Sequence, residues 1–269
     1  MGLVKAAVVA LLVLGTGAAA HAQAPHVVLP PGHGAVFDYQ IGGAYRPAAS
    51  VRIVDRDRTS TPSPGHYNIC YVNAYQTQAE ERRWWARTHP NLLLRNGSGG
   101  FVEDPNWPGE LVLDTSSAPK RQALARIEGK WLDGCAAKGF AAVEPDNLDS
   151  WTRQGVHGRL TRADNLAFAT LLARRAHADG LAIGQKNTVE VSRAGKQQVH
   201  FDFAIAEECQ VYRECAGYRA YYGSRVYEIE YARRAFDAAC ASHAGTMSII
   251  FRDLDVTPRG NRAYRYAHC

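Results

Sequence analysis

The stretch from Gly139 to Asp149, Gly-Phe-Ala-Ala-Val-Glu-Pro-Asp-Asn-Leu-Asp, concentrates the residues best suited to chemistry. Phe140 to Val143 predict a short buried strand, which runs into three carboxylates, Glu144, Asp146 and Asp149, with Pro145 ending the regularity. In a parallel α/β architecture the carboxyl ends of the strands open onto the ligand site. Acids crowded there suit either a carboxylate pair working on a glycosidic bond or a pocket for a cationic ligand. Asp149 alone reads as a cap or turn former. Glu144 and Asp146 read as functional, because other apolar runs also end in acids: Asp38 near Phe37, Asp55 and Asp57 after Ile53-Val54, Glu207 and Glu208, Glu228 and Glu230, and Asp253 after Arg252. Tyr71 and Asn73, and Gln185, Lys186 and Asn187, end two more. The histidines are scattered and none sits at a strand end with metal-ligand spacing, so neither a metal nor another cofactor is expected.

Eight short runs predict the strands that would carry these residues: Val36 to Gln40, Val51 to Asp55, Tyr67 to Asn73, Phe140 to Glu144, Leu181 to Gln185, Phe203 to Glu207, Val226 to Glu230 and Ser248 to Arg252. Amphipathic helical patterns separate the later ones, at Pro119 to Lys138, Thr161 to Asp179, Gln210 to Tyr222 and Tyr231 to His243. Thr161 with Asp164 reads as a capping box and Gly180 as the end of that helix. Alternation of this kind predicts an α/β fold, a single-domain (β/α)8 TIM barrel. The segment Ile41 to Ser50 is too short for a full crossover helix, and Arg95 to Asp114 reads as an inserted lid or rim with its own strand at Leu111 to Leu113. No linker or composition break divides the chain.

Several motifs in order carry a resemblance: Asp38-Tyr39-Gln40-Ile41-Gly42-Gly43, Cys70-Tyr71-Val72-Asn73-Ala74-Tyr75, Trp107-Pro108-Gly109-Glu110 with Leu113-Asp114, Glu144-Pro145-Asp146-Asn147-Leu148-Asp149, Gly184-Gln185-Lys186-Asn187, Ala206-Glu207-Glu208-Cys209 and Glu228-Ile229-Glu230-Tyr231. Together they resemble glycoside hydrolase family 114, the endo-α-1,4-polygalactosaminidases. The resemblance implies a barrel that hydrolyses α-1,4 bonds in galactosamine-containing exopolysaccharide with net retention. Matched residue by residue, it implies Asp146 and Glu207 as the catalytic pair. A retaining enzyme needs one carboxylate as nucleophile and one as general acid/base, about 5 to 5.5 Å apart. Asp146 is assigned to the first role and Glu207 to the second. The reversed roles, or Glu144 or Glu208 in place of either, remain open, since the parity of the strand decides which residue faces inward. Asp38, Tyr71, Asn73, Glu144, Lys186, Asn187 and Glu230 are expected to contact the sugar, with Trp107 or Trp151 stacking on a pyranose face. A non-catalytic carbohydrate-binding barrel and a hydrolase of another α-glycoside are the alternative readings. Trp84 and Trp85 sit on an amphipathic helix and are expected to pack.

The N-terminus has Lys5, an apolar run from Ala6 to Ala20 and an Ala20-His21-Ala22 ending, the pattern of a signal peptide over residues 1–22 with the hydrolase domain at 23–269. Export is therefore expected, with no membrane association after cleavage. The net charge of +5 comes with no basic stripe, which argues against a nucleic-acid partner and leaves a polysaccharide as the expected one. A monomer is expected. Six cysteines in an exported chain suggest disulfides, with Cys209 and Cys215 the expected local pair.

Overall fold

Eight parallel strands form in chain order, each hydrogen-bonded to the next: β1 (Phe37–Tyr39), β2 (Ile53–Asp57), β3 (Tyr67–Asn73), β4 (Ala142–Asp146), β5 (Ala182–Lys186), β6 (Phe203–Glu207), β7 (Val226–Glu230) and β8 (Ser248–Arg252). The computed structural model describes residues 1–2, 26–156 and 158–269. The expected signal peptide lies almost wholly outside these residues. The architecture is a nearly closed (β/α)8-type barrel. Strands β3, β6, β7 and β8 keep the boundaries expected from sequence, while β2 and β4 run two residues further.

Both faces of each strand are buried, and alternation sorts their side chains into two cores. Phe37, Tyr39, Ile53, Ile69, Ala142, Ala182, Phe203, Ile205, Tyr227, Ile229 and Ile250 fill the barrel. Cys70, Val72, Val143, Ile183, Ala204, Ala206, Val226 and Ile249 point outward into the core beneath the helices. Those helices are α1 (Arg82–Thr88), α2 (Ala118–Lys138), α3 (Arg162–Ala178), the short α4 (Ser192–Ala194) that continues as a π turn, α5 (Cys209–Tyr212), α6 (Cys215–Tyr222) and α7 (Arg233–His243). The Thr161–Asp164 capping box starts α3 as the sequence indicates. Trp85 is buried in this outer core, whereas its neighbour Trp84 is exposed.

Helices accompany the strands only from β3 onward, because the β1–β2 connection, as expected for Ile41 to Ser50, and the β2–β3 connection are too short to hold one. Two details differ from expectation. The helix expected over Gln210 to Tyr222 is broken in two, with Arg213 between the halves in a left-handed conformation at φ 60°. The insertion at 95–114 has no continuous strand at Leu111 to Leu113. It is held instead by isolated antiparallel bridges, Gln76 to Val112, Leu93 to Leu113, Arg95 to Phe101 and Glu103 to Leu111.

A ninth strand, β9 (Tyr266–His268), was not anticipated. It pairs antiparallel to β8, and the Tyr266 hydroxyl donates to the Phe37 carbonyl of β1 at 2.8 Å. The buried Arg252 guanidinium donates to the carbonyls of Tyr39, Arg265 and Thr257. Side chains therefore close the seam between β8 and β1. Disulfides Cys70–Cys135, Cys209–Cys215 and Cys240–Cys269 tie β3 to α2, α5 to α6, and α7 to the residue after β9. The Cys209–Cys215 pair is the one expected from sequence.

Candidate active site

The ammonium of Lys186, at the end of β5, lies in the centre of the barrel mouth. Its Nζ is 3.0 Å from Glu144 Oε1, 3.1 Å from Asp146 Oδ1, 3.5 Å from Glu207 Oε2 and 3.1 Å from the Tyr39 hydroxyl. Parity places all these groups together. Residues i and i+2 share a strand face, so Ala142, Glu144 and Asp146 follow one another up the interior of β4, as do Phe203, Ile205 and Glu207 up β6. Gly184 sits directly below Lys186, and a Cβ there would fall 2.6 Å from the Phe203 ring.

The two upper carboxylates are held differently. Asp146 accepts from the Tyr71 hydroxyl at 2.7 Å and from the backbone N–H of Asn147 at 2.7 Å. Burial by itself would push the Asp146 carboxyl up, but the Lys186 charge and these donors outweigh it and hold the group below the usual range. Glu207 accepts from the Tyr231 hydroxyl and from Asn187 Nδ2 at 2.9 Å, while its own N–H donates to Asn187 Oδ1 at 2.8 Å. Burial disfavours the Lys186 cation, yet Asp146, Glu144 and Glu207 together keep it charged, well above its ordinary value.

Asn147, Asn187 and Glu208 each directly follow one of these three residues, and all take left-handed φ, at 64°, 50° and 55°. Strain of this kind collects where a backbone must turn abruptly to present a side chain. Here it ends each strand immediately beyond Asp146, Lys186 or Glu207 and swings the Asn147 N–H back onto Asp146.

Above this cluster opens a cavity of about 470 Å³, lined on one side by Asp57, Gln78, Glu80, Trp107 and Glu110 and on the other by Glu208, Tyr231, Leu254, Asp255 and Val256. Two lining cations, Lys186 and Arg153, face seven lining carboxylates. Both are already engaged, Arg153 by Asp104 at 2.7 Å and Asp149 at 2.8 Å. Trp107 presents an exposed indole at the rim, while Trp151 packs against the outer core away from the cavity.

Most of the residues picked from sequence meet here, and some do not. Asp146, Glu207, Tyr71, Lys186 and Asn187 line the cavity. Glu144 lies beneath them, fully buried, as a partner of Lys186 and Tyr39. Asn73 points inward too, but it holds other residues, donating to Glu110 at 2.9 Å and accepting from Asn147.

Asp38 and Glu230, expected to touch the sugar, are outside the cavity. Tyr39 and Ile229 take the inward positions, so the alternating neighbours Asp38 and Glu230 face outward. Asp38 accepts from Tyr45 at 2.6 Å and Gln40 at 2.8 Å near Arg252. Glu230 accepts from the Gln210 N–H at 3.0 Å at the start of α5. Glu110 and Tyr231 were missed as contact residues although both fall inside the quoted motifs, and a search limited to strand ends could not reach Glu110 in the inserted rim.

Glu228 is buried beside Glu230 on the same outward face, and the Gln210 N–H reaches both. Burial, then a hydrogen bond and charge from Glu230, push the Glu228 carboxyl up to about 9. Folded Glu228 thus keeps a proton that the unfolded chain releases above its ordinary value. Its contribution to stability is full below about pH 4.5 and is lost progressively as pH rises toward 9. Glu228→Gln, which keeps an N–H for Glu230, is expected to stabilise the protein by roughly 2 to 3 kcal/mol at pH 7 and negligibly at pH 4.5. Urea unfolding at both pH values checks this, and equal effects at the two would refute the shared proton.

The model of glycoside-hydrolase family GH114 matches residues 17–269. The chain belongs to this family. It is accordingly a glycoside hydrolase. The structure of Aspergillus fumigatus Ega3 in complex with galactosamine superposes with a TM-score of 0.70 at 23% identity, covering 95% of this chain and all of that one. The glycoside hydrolase domain of PelA from Pseudomonas aeruginosa superposes with a TM-score of 0.57 at 15% identity, covering 84% and 96%. At such identities these likenesses bear on the fold. None of the curated proteins matches the chain.

Proposed function

We propose that this GH114 protein is exported and cleaves α-1,4 bonds in galactosamine-containing exopolysaccharide with retention, using Asp146 as nucleophile and Glu207 as general acid/base. The observation that carries the proposal is one ammonium flanked by both carboxylates, 3.1 Å from Asp146 and 3.5 Å from Glu207. The two oxygens can be no further apart than those two contacts laid end to end. That ceiling admits the retaining separation of about 5 to 5.5 Å.

Asp146 is suited to attack the anomeric carbon because Lys186, Tyr71 and the Asn147 N–H keep it ionised. Glu207, partly open to the cavity and anchored by Asn187 and Tyr231, is placed to give its proton to the leaving oxygen. The same carboxylate then accepts a proton from the water that releases the glycosyl intermediate. Export is supported by three disulfides, which persist in oxidising compartments.

Substrate charge is read from the cavity wall. Asp57, Glu80, Glu110, Glu208 and Asp255 line it without a lining cation left to neutralise them, although the protein as a whole is basic. Oligomers with free amino groups should therefore bind the inactive Asp146→Asn variant more tightly than N-acetylated ones. The preference should shrink as salt is raised, since exposed charges are screened over about 8 Å at physiological ionic strength. Stacking on Trp107 should persist. Calorimetry with matched oligomers at two salt concentrations tests this, and equal affinities at low salt would remove the cationic substrate. NMR of the newly formed anomer tests retention.

A further inference from the structure

Directly beneath Lys186, two buried acids keep oxygens that no donor satisfies. Asp55, on the inward face of β2, is completely buried, and neither of its carboxyl oxygens has a hydrogen-bond partner among the described residues. Glu144 is equally buried. Its Oε1 accepts from the Tyr39 hydroxyl at 3.1 Å and pairs with Lys186 at 3.0 Å, but its Oε2 is also left without a partner. Orphaned oxygens on two neighbouring buried acids would cost several kcal/mol if both were ionised. One proton between them joins an Asp55 oxygen to Glu144 Oε2 and removes one of the two charges.

We propose that Asp55 is a positioning residue for the hydrolytic pair: it stays protonated, donates to Glu144 Oε2, and thereby keeps Glu144 anionic and Lys186 anchored on the side of Asp146. This rests on the reading of Asp146 and Glu207 as that pair. Burial, followed by the charge of Glu144 and a bond to it, drives the Asp55 carboxyl well above its usual range; burial pushes Glu144 up as well, and the Lys186 charge and the bond from Asp55 work against that. The other charged or titratable groups around this point are Tyr39 from β1, Tyr71 from β3, Asp146 from β4, Lys186 from β5 and Glu207 from β6, while Arg252 from β8 is turned to the Tyr39 carbonyl in the seam.

The ammonium has three N–H groups, and three near contacts use them: Glu144, Asp146 and the Tyr39 hydroxyl. Glu207, at 3.5 Å, is the remaining one. Without the Asp55 proton, Glu144 takes one up itself and Lys186 turns its freed N–H to Glu207. A nearer cation favours the carboxylate over the acid form that must protonate the leaving oxygen. Asp55 thus acts through two intermediaries, and no contact with the sugar is required of it.

The experiment compares Asp55→Asn, whose amide still donates to Glu144, with Asp55→Leu, which has no donor, in kcat/KM against pH. The Asn variant should keep the wild-type profile, while the Leu variant should move its basic limb down by about one pH unit or more. A Leu variant that loses rate with both limbs in place would overturn the proposal in favour of a packing role. An Asn variant displaced as far as the Leu variant would overturn it in favour of a charge on Asp55.

Independently of turnover, the infrared difference between wild type and Asp55→Asn at neutral pH should contain the carbonyl stretch of one protonated carboxylic acid. Its absence overturns the shared proton, and this signal decides even where the Leu variant does not fold. Failure of the underlying reading has another signature, full activity of Asp146→Asn or Glu207→Gln, so the two failures are told apart.

Discussion

Asp146→Asn is expected to lower turnover of the galactosamine polymer by about 10³-fold or more, which corresponds to roughly 4 kcal/mol or more of transition-state stabilisation. The amide keeps the volume and still accepts from the Tyr71 hydroxyl, so the barrel should fold, yet it cannot form a stable glycosyl ester. Glu207→Gln should cause a comparable loss on the polymer. The two variants should then separate on a substrate whose leaving group needs no protonation. A burst of leaving-group release should return to Glu207→Gln, because that first step no longer needs its proton although the later hydrolysis still lacks its base, and should stay absent from Asp146→Asn. Recovery of Asp146→Asn instead would reverse the roles. Wild-type rates in both would mean the chemistry lies elsewhere in the cavity.

The second large effect is on stability. Lys186→Met leaves Glu144, Asp146 and Glu207 around an uncharged side chain, and removing one partner from a buried ionic cluster costs about 3 to 5 kcal/mol. The sign of its pH dependence follows from Asp146. In the wild type the folded carboxyl sits below its unfolded value, so its contribution is present above that unfolded value and is lost as pH falls through the folded one. In the variant the buried acids hold their protons more tightly than in the unfolded chain, and stability falls as pH rises. The deficit relative to wild type should therefore be small near pH 4 and full by pH 7. Melting curves across that interval measure it. A deficit independent of pH would make Lys186 a packing residue rather than the counter-charge of the cluster.

The arrangement also explains how an acid-rich mouth stays folded. Only part of the acid counted along the strand ends enters the cavity. Asp38 is bound into the β8–β1 seam, Glu228 and Glu230 share the Gln210 N–H under α5, and Asp253 accepts from the backbone of Thr257 and Arg265. The acids that replace them around the ligand come from connecting segments, Glu80 and Glu110 after β3 and Asp255 after β8. Under the proposed reading, loops carried on a rigid barrel would set what is bound and the strand ends what reacts.

The sequence by itself determined the eight strands, the barrel and the local disulfide, because short apolar runs closed by acids and turn residues have few other uses, while Asp146 and Glu207 were singled out through the resemblance its motifs carry. It did not determine which face of a strand turns inward. In a barrel both faces are buried, so hydrophobicity marks neither, and Val226-Tyr227-Glu228-Ile229-Glu230 reads equally well with its acids toward the sugar or away from it. Packing decided that question: Tyr227 and Ile229 fill the interior beside Phe203 and Ile205, and Glu228 and Glu230 are left to face the helices. The central place of Lys186 was likewise a tertiary fact. Lys186 is separated by 42 residues from Glu144 and by 21 from Glu207, and only parallel register at the barrel mouth brings the one ammonium between them.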